Sequence, residues 1–319
     1  MLKLTKTRVS VSLLATLGFM LSGTAQADYP DRPVDLIVPY AAGGGVGAMA
    51  RVFAMEATQL SGQQWIVHNR EGAGGVVGFN AIARAEPNGY TVGFSPASPM
   101  TNAPFVNTSM PFKNEDILPV CQVFENVFAI AVVKDSPIKT LDELLQKARD
   151  KPGSVSYGHA GLASVPHLSM AALEQSAKVK FADIPYRGDA PAVVDALGGN
   201  LDFVTPAIAT LAGKDLRVLA VLADKRHQSM PDAPSLKELG YPTISPGLNG
   251  LYVPKNTPVA VVEKLESLCE QVVNSPSFAQ HIEGLLQVPE YLSTHNFQQR
   301  IADTYQVHAE LMPTLEFEK

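Results

Sequence analysis

The chain has 319 residues, 46% of them hydrophobic, and a formal net charge of −6. That length is ample for two lobes with separate cores, and the acidity argues against a nucleic-acid partner, which calls for a basic face. A small anion stays open, because backbone N–H groups bind anions locally whatever the overall charge.

The N-terminus reads as an export leader. Lys3, Lys6 and Arg8 precede an apolar run from Val11 to Leu21, and Ala25-Gln26-Ala27 offers a small-x-small cleavage site. The run is about half the ~20 residues of a spanning helix, so cleavage after Ala27 and a periplasmic location are expected rather than an uncleaved anchor. Losing the leader's three basic residues, and no acidic ones, takes the net charge from −6 to −9.

From Asp28 onward, short apolar strands alternate with amphipathic helices, the pattern of parallel α/β sheets. Strands are expected at 34–38, 65–68 and 90–94, and helices at 46–60 and 76–85. The first helix opens from Gly43-Gly44-Gly45 and the second from Gly72-Ala73-Gly74-Gly75. A strand–glycine–helix junction aims unpaired N–H groups and the positive end of a helix dipole at one point, which favours an anion.

Residues 118–133 read as one long extended passage crossing between lobes. Thr140-Leu141-Asp142-Glu143 forms a capping box that starts a helix to about Arg149. A second series follows, with strands at 154–157, 182–185, 202–205 and 216–222 and helices at 166–175 and 191–197. The last of these strands reads as the return crossover. A strand at 251–253 precedes a helix with Thr257 as N-cap and Pro258 at its first position. Val262, Leu265, Leu268 and Val272 recur there at helical spacing, and helices at 276–286 and 297–312 end the chain. The expected organisation is a leader at 1–27, one lobe from 28–124 with 226–319, and a second lobe from 125–225. Two lobes joined by two crossovers make a hinged cleft, which is a binding device.

Cys121 lies in a strand-like run and Cys269 beside the apolar face of a helix. An oxidising compartment permits a disulfide, but two buried small hydrophobes are the favoured reading.

Enzyme signatures are weak. Gly43-Gly44-Gly45-Val46-Gly47-Ala48 fits a dinucleotide fingerprint, yet export removes the chain from cytosolic dinucleotides, and no acidic residue ends the second strand. No P-loop, G-x-S-x-G elbow or His-x-x-x-His spacing occurs. His159 and His167 are expected as surface or capping histidines. No catalytic residue, metal or cofactor is expected.

An ordered set of motifs carries a family resemblance across most of the chain. It begins with Tyr29-Pro30-Asp31-Arg32-Pro33 and the glycine loop at 43–45, and continues with Asn69-Arg70-Glu71-Gly72-Ala73-Gly74-Gly75 and Pro87-Asn88-Gly89-Tyr90-Thr91. Pro185-Tyr186-Arg187-Gly188, Asp195-Ala196-Leu197-Gly198-Gly199 and Pro231-Asp232-Ala233-Pro234-Ser235 follow in the same order. The chain resembles the periplasmic solute-binding proteins of tripartite tricarboxylate transporters, the Bug/TctC family. The resemblance implies an α/β fold of the two-lobed periplasmic-binding-protein type II kind, in which each lobe is a mostly parallel sheet flanked by helices. It also implies closure on a small organic carboxylate and delivery to membrane permease subunits by a monomer without catalysis. A sensor kinase as the docking partner is the alternative, and a periplasmic enzyme the remoter one.

Carried over residue by residue, the resemblance puts Tyr40, Ala42, Gly43, Gly44 and Gly47 on the first-lobe jaw, with Ser95 and Ser98 as hydroxyl donors. On the second lobe it puts His159, Ala160 and Ser164 in one loop and Tyr186 and Arg187 in another. Arg187 would bridge the closed cleft or solvate its rim. Gly74 and Gly75 read more readily as relief of helix–strand crowding than as ligand contacts. The chain departs from the family at Val46-Gly47, at 159–163 and at Pro206-Ala207, where relatives carry more polar side chains. Fewer hydroxyls and carboxylates imply a more apolar ligand, an aromatic or short monocarboxylate.

Overall fold

A computed structural model describes residues 29–315 of the chain; the expected leader lies outside the described residues. In chain order the first segment holds β1 (Val34–Val38), α1 (Gly45–Ser61), β2 (Trp65–Asn69), α2 (Val76–Ala83), β3 (Thr91–Pro96), the short α3 (Ser98–Thr101) and α4 (Ala103–Val106), and β4 (Ile117–Asn126). The second holds β5 (Ala129–Val133), α5 (Leu141–Asp150), β6 (Ser156–His159), α6 (Val165–Ala177), β7 (Ala182–Pro185), α7 (Asp189–Leu197), β8 (Phe203–Val204), α8 (Ile208–Leu211) and β9 (Leu216–Val221). The last holds β10 (Gly247–Pro254), α9 (Val259–Val273), α10 (Pro276–Glu283), β11 (Pro289–Leu292) and α11 (Thr294–Leu311).

Two sheets result, ordered β11-β4-β10-β3-β1-β2 and β7-β6-β8-β5-β9. β1 pairs in parallel with β2 and β3, and β6 in parallel with β7 and β8, so each sheet has a parallel block served by crossover helices. β10 runs antiparallel to both β3 and β4, β11 to β4, and β5 to both β8 and β9, so both sheets are mixed. Helices cover both faces of β1, which explains its near-continuous apolar run. Leu36, Phe53, Phe94, Phe124 and Leu265 anchor the first core; Ile130, Leu144, Tyr157, Phe181 and Phe203 anchor the second. Leu236, Ile244, Met312 and Leu315 also join the second core. Two stretches beyond the return crossover, around Leu236–Ile244 and Met312–Leu315, therefore lie against that lobe. No helix among the described residues is long and apolar enough to cross a membrane.

Four expectations need correction. Residues 118–133 are not one strand: β4 ends in the first sheet at Asn126 and β5 begins in the second at Ala129, so Val127 and Phe128 make the crossing. Local apolarity cannot reveal that the two ends pair with different sheets. The strand expected at 251–253 spans eight residues, because both of its edges are paired. Its interior Gly250 obscured the pattern. A Cβ there would lie 2.0 Å from the Cys121 carbonyl oxygen, so close strand approach requires glycine. Pro258, not Thr257, is the N-cap of α9, and the Thr257 hydroxyl donates instead to the Pro254 carbonyl.

Finally, Cys121 and Cys269 are disulfide-bonded. Both are fully buried, as core residues should be, but the bond ties β4 to α9 across 148 residues of sequence. Constraining so long a loop in the unfolded chain stabilises the fold by about 5 kcal/mol in the chain-entropy limit.

Candidate functional site

The two lobes are closed on each other, and the glycines of the first lobe make this possible. The Ala41 N–H donates to the Arg187 carbonyl at 2.9 Å, and the Asn102 side-chain amide donates to the Ala163 carbonyl at 2.9 Å. The Gly45 N–H, first in α1, donates to Thr210 Oγ1 at 2.7 Å. A Cβ on Gly44 would lie 2.5 Å from Asp189 Oδ1, and one on Gly45 2.8 Å from the Ala209 Cβ. The glycine run is thus the bearing surface for α7 and α8 of the opposite lobe. Gly74 serves the same end: its φ is +62°, and a Cβ would lie 2.2 Å from the Leu162 carbonyl oxygen across the cleft. Helix–strand crowding is therefore not its main constraint. Gly75 does fit local crowding, against Tyr40 and Pro99.

Beneath these contacts lies a small inner pocket of about 20 Å³. The first turn of α1 (Val46 and Gly47) and the start of α6 (Ser164 and Val165) both line it. First-turn N–H groups have no intrahelical acceptor, so two helix N-termini converge on one point. Two polar atoms of the lining, Ser164 Oγ and Asn126 Oδ1, are buried without a hydrogen-bond partner. Asp189 completes the wall. Its carboxylate accepts from the Ala207 N–H at 2.9 Å and the Thr210 hydroxyl at 2.7 Å. Burial pushes the Asp189 carboxyl above the ordinary carboxylate range, and these hydrogen bonds partly offset the rise.

Of the residues carried over by resemblance, Tyr40, Gly44, Gly47, Ser98, Ala160 and Ser164 line the inner pocket. Ala42, Gly43, Tyr186 and Arg187 line a larger outer recess instead. At its rim an Arg187 guanidinium nitrogen lies 3.5 Å from Glu71 on the other lobe, with Arg187 mostly exposed. Tyr40 is buried and its hydroxyl donates to the Gly74 carbonyl at 3.0 Å, bracing two loops of its own lobe. Burial pushes that phenol up to about 12, so it remains a donor. Ser95 lines neither recess; it is buried in β3 and its hydroxyl donates to the Pro96 carbonyl. Asn126 and Asp189 were missed. Asn126 ends a strand that was read as continuous. Asp189, an acidic residue opening α7, carried a capping signal but nothing that linked it to the glycine loop.

His159 and His167 are not surface residues: both are buried, with rings stacked at a centroid distance of 4.7 Å. Their Nε2 atoms lie 3.5 and 3.7 Å from one oxygen of Asp183. The β6–β7 register explains this, since Tyr157 pairs with Asp183 and the next same-face residue on β6 is His159. The three donor atoms lie within 4.8 Å of one another. However, His167 Nδ1 accepts the Ala163 N–H at 3.2 Å, which leaves the ring proton on Nε2, toward the carboxylate. Nearly parallel ring planes also keep the in-plane lone pairs from converging. The trio is a brace behind the 160–164 loop, with Asp183 held below the ordinary carboxylate range chiefly by His159. Burial first, and then His159, lowers His167 to about 4.

Known proteins share this architecture. A periplasmic binding protein named BugD superposes with a TM-score of 0.84 at 28% identity, over 90% of this chain and 98% of its own. An R. palustris protein solved with adipate gives a TM-score of 0.84 at 25% identity, over 90% of this chain and 98% of its own. In sequence, a Cupriavidus necator protein of the UPF0065 group is 33% identical over 91% of this chain and 90% of its own. Protein BugT of Bordetella pertussis is 32% identical over 82% and 85%. The model of the tripartite tricarboxylate transporter family receptor matches residues 49–316. With that match over most of its length, the chain belongs to the tripartite tricarboxylate transporter family of receptors.

Proposed function

We propose that this protein is a periplasmic solute receptor that closes its lobes on a small organic carboxylate and delivers it to transporter membrane subunits, without chemical change. The observation that carries the reading is the buried, unpartnered hydroxyl of Ser164, a residue of one pocket lined by two helix N-termini. An unmet buried hydroxyl costs about 1–3 kcal/mol, and a bound carboxylate oxygen would accept its proton. First-turn N–H groups supply further donors without a buried cation. The adipate in a structural relative is consistent with this chemistry. Asp189 in the pocket wall disfavours a second or third ligand carboxylate nearby, so acids with one carboxylate in the pocket should be preferred.

A thermal-shift screen of the leader-free protein against mono-, di- and tricarboxylates tests this. A ligand at 100 times its Kd should add about 2.7 kcal/mol of stability. No shift with any acid would reject the receptor reading. A preference for tricarboxylates would reject the inference from Asp189 alone.

A further inference from the structure

Asn102, between α3 and α4, and His308, near the end of α11, line neither recess, yet together they reach across the cleft. Both are buried. The Asn102 amide nitrogen donates to the Ala163 carbonyl of the other lobe at 2.9 Å. Its Oδ1 accepts from the Thr101 hydroxyl at 2.8 Å and from His308 Nδ1 at 2.7 Å. The His308 tautomer follows, because Nδ1 faces only acceptors: Asn102 Oδ1 and, at 3.4 Å, the Thr101 carbonyl. Turning the amide over would set its NH2 group against an O–H and an N–H. Residues of the first lobe thus keep the Asn102 donor aimed at the cleft.

The group it meets is held on both sides. Ala163 has a φ of +60°, in the left-handed region that disfavours a side chain. Its N–H is satisfied within its own lobe by His167 Nδ1 at 3.2 Å, and its carbonyl by Asn102. Glycine would relax this backbone, but Ala163 is buried in one apolar cluster with Ala97, Met100 and Ala103 of the first lobe. The methyl is therefore what the opposite lobe receives. The next residue, Ser164, is the N-cap of α6 and lines the inner pocket.

We propose that Asn102, aimed by His308 and Thr101, is a positioning residue for ligand retention: it latches the Ala163 carbonyl on closure and so holds Ser164 in place over the bound acid. This rests on the carboxylate-receptor reading and adds to it the contact that keeps the lobes shut. A bond made only on closure stabilises the closed complex and not the first encounter, so its loss appears in the dissociation rate.

Rapid-mixing kinetics with the acid that most stabilises the wild type in the carboxylate screen decide it. Asn102→Asp keeps an acceptor for His308 and Thr101 but turns the donor into an acceptor facing the Ala163 carbonyl. It should speed dissociation about 10-fold or more, the worth of one hydrogen bond, with association unchanged. His308→Leu should speed dissociation less in the wild type, and should add nothing once Asn102→Asp is present. Unchanged dissociation in Asn102→Asp, a loss confined to association, or independent effects of the two substitutions overturns the proposal while leaving the receptor reading intact. Should circular dichroism show Asn102→Asp unfolded, Ala163→Gly decides: faster dissociation at an unfolding midpoint no lower than wild type is expected, and unchanged dissociation overturns the latch. Silence from every acid rejects the receptor reading and the latch with it.

Discussion

Gly74 and Leu162 meet backbone to backbone across the cleft, so closely that a Cβ on Gly74 would lie 2.2 Å from the Leu162 carbonyl oxygen. The contact is between two lobes, and it exists only when they close. Gly74→Ala should therefore oppose closure more than folding. Its left-handed φ adds a cost of about 1–2 kcal/mol within the lobe. The expected outcome is at least a 10-fold loss of ligand affinity by calorimetry, beyond any change in unfolding midpoint. Unchanged affinity would mean that this closed arrangement is not the ligand-holding one.

Ser164→Ala removes a buried hydroxyl that has no protein partner. The ligand-free protein should be as stable as the wild type, or slightly more so. Ligand affinity should fall by roughly 10-fold, the worth of one hydrogen bond to a charged group, about 1.5 kcal/mol or more. Denaturant titration and calorimetry on the same sample separate the two effects.

Replacing Cys121 and Cys269 together by Ala should destabilise the protein by about 2–5 kcal/mol. The native protein, denatured without reductant, should show no titratable thiol, since this bond joins the chain's two cysteines. A free thiol count of two would contradict the bond directly.

Asp189 gives a pH signature. Its folded-state carboxyl is raised by burial, so its proton is held more tightly in the folded than in the unfolded chain. Its contribution to stability is fully present below the ordinary carboxylate value of 3.8 and is lost as pH rises through the raised value. Asp189→Asn should remove that loss. The stability of the variant relative to wild type should thus increase between pH 4 and pH 7, measured by urea unfolding at both. A constant difference would argue that Asp189 titrates normally.

Gly47 has room that Gly44 and Gly45 lack: a Cβ would make ordinary contacts at 3.6 Å with Arg51 and 3.7 Å with Asn69. Gly47→Ala, in the first turn of α1, should raise stability by about 0.5–1 kcal/mol, visible as a higher unfolding midpoint. The methyl's nearest neighbours, Arg51, Asn69 and Ala41, do not line the inner pocket, so affinity should change little even as stability rises.

Much of the architecture was legible locally. β1, with its apolar run ended by Pro39, and β7 at 182–185 match the expected ranges, and Thr140 accepts the Glu143 N–H as the capping box requires. These features depend on residues within a turn or two of one another. The site was only partly legible. The glycine loop announced an N–H-rich helix start, but nothing near Gly44 in sequence says that Asp189 will press against it. His159 and His167 looked like surface residues because the carboxylate between them comes from the neighbouring strand.

The sequence by itself determined the alternation of strands and helices, the two glycine-opened helix N-termini and the family motifs. All of these are set by backbone propensity and spacing. Only the tertiary structure decided the Cys121–Cys269 bond, the break between β4 and β5, and the pocket that joins Ser164, Asn126 and Asp189. Each depends on sheet pairing and lobe closure, which bring together residues tens of positions or more apart. A local pattern carries no information about such partners, because what a buried polar group meets is fixed by packing rather than by its neighbours in the chain.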